Sequence, residues 1–205
     1  MTAVKFCGLR RIDDVDACNL LRPEYAGFVF WRKSRRFVDS AEAKGLMDRL
    51  DSGIIPVGVF LDQPLTDIID AEEAGIRMVQ LHGSEDQEFI DQVKETTGLP
   101  VIKAFTVTDE DIVKYSLSFS CDYRMYDSGA GSGVAFQHSL LRGAGSPYFL
   151  AGGLTPENVG IAIGELHPYA VDTSSGIETD GYKDPVKMER FITAVRGTAH
   201  KEENE

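Results

Sequence analysis

Tyr148-Phe149-Leu150-Ala151-Gly152-Gly153-Leu154-Thr155-Pro156-Glu157-Asn158-Val159-Gly160-Ile161-Ala162-Ile163-Gly164-Glu165-Leu166-His167-Pro168-Tyr169-Ala170-Val171-Asp172-Thr173-Ser174-Ser175-Gly176 holds one full period of the pattern that decides the fold. Tyr148–Ala151 is a short aromatic and apolar run of the kind that forms a buried strand, and Gly152-Gly153 ends it. Thr155-Pro156-Glu157 reads as a helix start with proline at the first helical position. Val159, Ala162, Ile163 and Leu166 then recur at helical spacing and give one apolar face. Ala170–Thr173 is a second buried run, closed by Ser174-Ser175-Gly176. Strand, glycine loop, helix and strand in this order make a βαβ unit, whose two strands run parallel.

The same unit recurs in both directions along the chain. Six further strand-like runs are Val4–Cys7, Ala26–Phe30, Pro56–Leu61, Met78–Leu81, Val101–Phe105 and Tyr123–Tyr126. Helical stripes lie between them: Ala43, Leu46, Met47 and Leu50; Leu65, Ile68 and Ile69; Phe89, Ile90 and Val93; and finally Met188, Phe191, Ile192 and Val195. Ser84-Glu85-Asp86-Gln87 fits a capping box. Asp109–Tyr115 is a short helical segment, and Phe136–Arg142 one of poor periodicity. Eight strands alternating with eight helical segments, roughly 25 residues per unit, predict an α/β fold, a (βα)₈ barrel at the small end of its size range. Residues 1–205 show no break that would mark a domain boundary, so a single domain is expected, with a solvated, frayed tail over residues 200–205.

Composition narrows the function classes. With 42% hydrophobic and 26% charged residues, the 205-residue chain is an ordinary soluble globular domain. No stretch reaches the roughly 18 to 20 apolar residues of a membrane span, and no secretory leader is visible, so a cytoplasmic protein is expected. Cys7, Cys18 and Cys121 show neither a C-x-x-C pairing nor an even count, which predicts no disulfide framework and no metal site. A net charge of −12 argues against nucleic-acid binding, which needs a basic field. Any anionic ligand must therefore be met by a locally positive pocket.

Barrels of this type keep their chemistry at the C-terminal ends of the strands. Here that ring reads Cys7, Arg35 with Arg36, Asp62, His82, Thr106, Asp127, Gly152 with Gly153, and Ser174-Ser175-Gly176. The loops after strands seven and eight are the clearest feature. Glycines allow close backbone approach to an oxyanion and serine hydroxyls add donors, so Gly152, Gly153, Ser174, Ser175 and Gly176 predict a phosphate site and a phosphorylated small-molecule ligand. Asp62 precedes Gln63-Pro64 and reads as a cap or loop residue.

Lys5-Phe6-Cys7-Gly8, Gly27-Phe28-Val29-Phe30 with Ser34-Arg35-Arg36-Phe37-Val38, Val57-Gly58-Val59-Phe60, Val79-Gln80-Leu81-His82-Gly83, Ala151–Val159, and Asp172–Glu178 with Gly181-Tyr182-Lys183-Asp184 resemble, in order and over nearly the whole chain, the phosphoribosylanthranilate isomerases of tryptophan biosynthesis. The resemblance implies an Amadori rearrangement that needs no cofactor, in which an aminoaldose becomes an aminoketose. It implies that Asp127 is the acid that opens the furanose and Cys7 the base that takes the C2 proton. It also implies that Arg36 binds the substrate carboxylate, with His82 and Asp172 as further substrate contacts.

The residue types fit these roles under stated conditions. A free thiol has a pKa of about 8.5, so Cys7 needs a nearby cation to act as a base, and Lys5, two residues earlier on the same side of the strand, is the candidate. Lys5 equally reads as a structural partner of Asp172, and the two roles are compatible. Asp127 must be held protonated, although an unperturbed aspartate has a pKa of about 3.9; its alternative is a loop-capping role before Ser128-Gly129. His82 reads either as a substrate contact or as a loop histidine. Asp127-Ser128-Gly129-Ala130-Gly131-Ser132-Gly133, leading to Phe136-Gln137-His138, departs from the resembled family's pattern after strand six while keeping the small residues that a lid needs. Two other functions stay in view: a related barrel isomerase of histidine biosynthesis, which pairs two aspartates where this chain has Cys7, and a non-catalytic phosphosugar-binding barrel. Monomer and dimer are both open.

Overall fold

Lys5 and Asp172 sit opposite each other where the first and last strands pair, and this pairing closes the sheet into a ring. The computed structural model describes residues 1–128, 138–141, 144, 145 and 147–202. The strands are Ala3–Cys7 (β1), Tyr25–Val29 (β2), Ile55–Phe60 (β3), Met78–Leu81 (β4), Val101–Thr106 (β5), Tyr123–Asp127 (β6), Tyr148–Ala151 (β7) and Ala170–Thr173 (β8). They pair in parallel and in sequence order around a closed barrel. Every strand expected from the sequence is present, with ends displaced by one residue at most. A small hairpin, Glu178–Thr179 (β9) with Tyr182–Lys183 (β10), follows the barrel.

The helices are Ile12–Leu21 (α1), Ser40–Met47 (α2), Leu65–Ala74 (α3), Gln87–Thr97 (α4), Glu110–Ser116 (α5), Val159–Leu166 (α6) and Pro185–Glu202 (α7). Eight helical segments were expected, whereas the described residues hold seven α-helices and two 3₁₀ turns. Of the expected segment Phe136–Arg142, only His138–Leu141 is described, as one of these turns; the expected lid, residues 129–133, lies outside the described residues, as does the last part of the expected tail. Among the described residues no helix is long and apolar enough to cross a membrane.

Helix α1 has no clean apolar stripe because one of its buried positions is an acid. Asp14 accepts from the backbone N–H of Arg10 and Arg11 and from the Arg11 guanidinium, so it caps its own helix from inside. Two expected helix starts are corrected. The capping box at Ser84–Gln87 does not form: Asp86 caps α4 by accepting from Phe89 N, while Glu85 is turned to the buried Lys103 Nζ at 2.7 Å. Pro156 is not the first helical residue, since Thr155–Asn158 closes a turn in which Asn158 Oδ1 accepts from Thr155 N, and α6 begins at Val159.

Strand alternation separates two apolar layers. Phe6, Phe28, Val79, Leu81, Phe105, Leu150 and Val171 pack outward against the helices. Each fully buried side chain of this size contributes roughly 1.5–3 kcal/mol. Tyr25, Val57, Met78, Ile102, Met125 and Phe149 fill the barrel interior. The aromatic set Tyr25, Tyr123, Phe149 and Tyr169 plugs its N-terminal end, with Tyr25 and Tyr169 hydroxyls 2.9 Å apart. By the same alternation Lys5, Gln80, Asp127 and Asp172 face inward one step nearer the C-terminal end. The apolar filling is thus topped by a polar layer, which forms the floor of the site.

Candidate active site

A cavity of about 240 Å³ opens above that layer, at the C-terminal ends of the strands. It collects Cys7, Arg36, His82, Asp127, Asp172, the Gly152-Gly153 loop and the Ser174-Ser175-Gly176 loop, so the expected site residues meet in one place. Asp62 does not join them. It accepts from Ser84 N and Oγ at 2.6 and 2.9 Å and ties the loop after β3 to the loop after β4.

Cys7 ends β1 opposite Gly27 of β2. A β-carbon on Gly27 would stand 3.0 Å from both Cys7 Sγ and Lys5 Nζ, so the missing side chain is what lets thiol and ammonium share this space. Lys5 is fully buried, and its Nζ donates to Asp172 Oδ1 at 2.6 Å. Burial works against its charge, but Asp172 and Cys7 outweigh it and hold the Lys5 pKa above the ordinary value. For Cys7 the balance runs the other way. Burial raises its pKa most, Asp172 adds to the rise, and Lys5 and Lys183 pull down without overcoming it. Lys5 is thus the cation that pulls the thiol down, as its place two residues before Cys7 suggests, but burial outweighs it and Cys7 stays above the ordinary value in the unliganded pocket.

Arg36 crosses the turn at Gly8, whose φ of +81° and lack of a side chain make room for the Arg36 Cδ. Its Nε and Nη2 donate to the two oxygens of Glu178 at 2.6 and 2.9 Å. Glu178 also accepts from Lys183 Nζ at 2.8 Å and from the more exposed Arg35 at 2.8 Å. Burial favours the neutral acid, but the bonds from Arg36 and Lys183 win and hold Glu178 down to about 2. Lys183 is buried, donates to Ser174 O at 2.9 Å, and has its pKa lowered by that burial against the pull of Glu178. Three cations around one carboxylate leave this end of the cavity positive, in a chain of net charge −12.

At the ends of β7 and β8, Gly152 and Gly153 leave β7 with φ of 94° and 65°, and Ser174 leads from β8 into the 3₁₀ turn Ser175–Ile177. Thr173 Oγ1 donates to Leu154 O at 2.8 Å, and Ser174 Oγ donates to Cys7 O at 2.9 Å. These bonds lock the two loops to each other and to the end of β1. Val29, Trp31, Val59, Phe60 and Leu61 supply an apolar wall from β2 and β3, on the side of Arg36. His82 stands with Nε2 3.6 Å from Asp127 Oδ2, and Gln80 Nε2 donates to His82 Nδ1 at 3.2 Å. Accepting at Nδ1 places the proton of the neutral ring on Nε2, facing Asp127.

Gln80, Glu178 and Lys183 received no role from the sequence, although each stands in a stretch that carries the resemblance. For Gln80 the signal was available, since an amide between Val79 and Leu81 on a buried strand must point into the barrel.

The geometry agrees with the comparisons. The family model described as N-(5'phosphoribosyl)anthranilate (PRA) isomerase matches residues 4–194. The N-(5'-phosphoribosyl)anthranilate isomerase of Caldanaerobacter subterraneus subsp. tengcongensis is 42% identical over 205 residues, covering 96% of this chain and 99% of that protein. The enzyme of Endomicrobium trichonymphae is 39% identical over 202 residues, with the same coverage. Among solved structures, the phosphoribosyl anthranilate isomerase of Thermotoga maritima superposes with a TM-score of 0.87 at 32% identity, covering 96% of this chain and 100% of that one. A phosphoribosyl anthranilate isomerase in complex with reduced 1-(o-carboxyphenylamino)-1-deoxyribulose 5-phosphate gives 0.86 at the same identity and coverage. A 3-hexulose-6-phosphate synthase, at 12% identity and a TM-score of 0.69, shares the fold alone. A barrel that gathers a thiol, an aspartate and a cationic corner about one cavity, and matches this family over residues 4–194, belongs to the phosphoribosylanthranilate isomerases.

Proposed function

We propose that the cavity converts N-(5'-phosphoribosyl)anthranilate to 1-(2-carboxyphenylamino)-1-deoxyribulose 5-phosphate, with Asp127 as acid and Cys7 as base. The observation that carries this reading is the placement of both groups on one cavity that also takes in Arg36 and the loops after β7 and β8. Arg36 receives the anthranilate carboxylate, the apolar wall beside it receives the ring, and Gly152, Gly153 and Ser174–Gly176 receive the phosphate. A substrate held at both ends lays its sugar chain across the barrel mouth, past Cys7, His82 and Asp127.

Asp127 donates its proton to the furanose oxygen as the bond from that oxygen to C1 breaks. The anthranilate nitrogen lone pair forms the C1=N bond, giving a protonated Schiff base. Cys7 takes the proton from C2, and the electron pair of that C–H bond flows toward the iminium to give an enolamine. The Cys7 thiol returns its proton to C1 and the Asp127 carboxylate takes the C2 hydroxyl proton, which yields the ketone and restores both groups, so no atom is gained or lost overall. Cys7 acts from its thiolate form, reached when the thiol releases its own proton to solvent, and Lys5 supplies the charge that offsets that thiolate. His82, with Nε2–H toward Asp127, orients the acid.

The test is loss of phosphoribosylanthranilate fluorescence on addition of the purified protein. Cys7→Ala and Asp127→Ala should each lower kcat by several orders of magnitude with substrate binding largely kept. An inactive wild type, or both variants turning over at its rate, rejects the assignment.

A further inference from the structure

Gln80 is 1% exposed and projects from β4 into the polar layer at the base of the cavity. Its amide nitrogen is engaged by His82. Its carbonyl oxygen has no hydrogen-bond partner, and among the described residues it is the only buried side-chain polar atom in that condition. Native interiors leave few such atoms, and those that persist stand where a ligand or solvent completes them.

We infer that Gln80 is a substrate-binding residue whose Oε1 accepts a hydrogen bond from a hydroxyl of the sugar chain. The inference rests on the reading of the cavity given above. Carboxylate and phosphate groups only accept hydrogen bonds, so neither end of the substrate can satisfy an orphan carbonyl. The donors lie between those ends, and Gln80 occupies that middle ground. It stands opposite Val59 of the apolar wall in the strand register and carries His82, which reaches toward Asp127. A neutral amide exchanges no proton with the substrate. Its contribution is orientation: one side chain fixes the ring beside the acid and the sugar that the acid protonates. The interaction also discriminates, since a ligand lacking the hydroxyl leaves the buried oxygen unmet.

The experiment measures binding of reduced 1-(o-carboxyphenylamino)-1-deoxyribulose 5-phosphate, a non-reacting probe, to the full chain by calorimetry. Gln80→Met is compared with wild type, and again in a His82→Ala background. Gln80→Leu takes its place if Gln80→Met does not fold. A loss of fivefold or more in both backgrounds is expected, with about tenfold typical for one buried hydrogen bond. A smaller loss in wild type shows that the oxygen is not used by the ligand and overturns the inference. A loss that vanishes in the His82→Ala background shows that Gln80 acts only through the ring, and overturns it equally. A wild type that fails to bind the probe removes the reading of the cavity itself, a result visible without any Gln80 variant.

Discussion

Arg36 is held by Glu178 through two bonds of 2.6 and 2.9 Å, which occupy one edge of the guanidinium and fix the direction in which the rest of it faces. Glu178 therefore aims Arg36 at the cavity. Glu178→Gln should raise KM for phosphoribosylanthranilate at least tenfold while kcat changes less. The same variant should treat N-(5-phosphoribosyl)aniline, which lacks the carboxylate, much as wild type does. Steady-state kinetics with both substrates check this, and an equal rise in both KM values would show a general structural defect instead.

The Glu178 pairings also set a pH window for stability. Its pKa is held down to about 2 against an ordinary 4.5, so the folded state favours the ionised form. The resulting stability is complete above pH 4.5 and is lost as pH falls through the window toward 2. Screening by nearby solvent leaves roughly 1–2 kcal/mol from this group. Acid unfolding followed by circular dichroism should show a shallower loss between pH 4.5 and 2 in Glu178→Gln than in wild type.

Cys7 should behave as a poorly ionised thiol in the free protein. Its alkylation by iodoacetamide, followed by peptide mass spectrometry, should keep rising beyond pH 8.5, where an ordinary thiol is half ionised. Lys5→Met should move the curve further up, because the cation that partly offsets burial is gone. Cys18, pushed up to about 12 mainly by its own burial, should label far more slowly. A midpoint for Cys7 below about pH 8 would contradict the balance of burial over Lys5.

Lys5 and Asp172 form a buried pair, with only Asp172 reaching the cavity, and removing one member strands a charge. Lys5→Met alone should cost roughly 3–5 kcal/mol in urea unfolding, whereas Lys5→Met with Asp172→Leu should recover part of that loss. Additive losses would mean that the two charges are not energetically coupled.

The strands were legible because each is a local run, and Lys5 and Cys7 could be placed on one side of β1 by counting in twos. The pairing of Lys5 with Asp172 followed from closing the barrel. What escaped was long-range or internal to the packing. Glu178 reaches Arg36 across 142 residues of sequence, and no periodicity connects the loop after β2 to the hairpin after β8. Helix α1 was masked by Asp14, a carboxylate buried where a stripe would place an apolar residue. The thiol's raised pKa depends on how deeply Cys7 is enclosed, a quantity that spacing does not carry. Glu85 looked like part of a capping box until Lys103, a buried cation on the next strand, took it.

The Lys5–Asp172 contact spans 167 residues, and Cys7 and Ser174 meet across the same seam. The surroundings of Cys7 are thus finished by the final strand. A chain that has folded its first seven strands but not docked the eighth lacks both the counter-charge of Lys5 and the serine loop that lines the cavity, however much helix and sheet it already shows. Contacts this distant in sequence are slow to form. During refolding, recovery of turnover should time the closing of the ring, where spectroscopic signals of secondary structure would report only its parts.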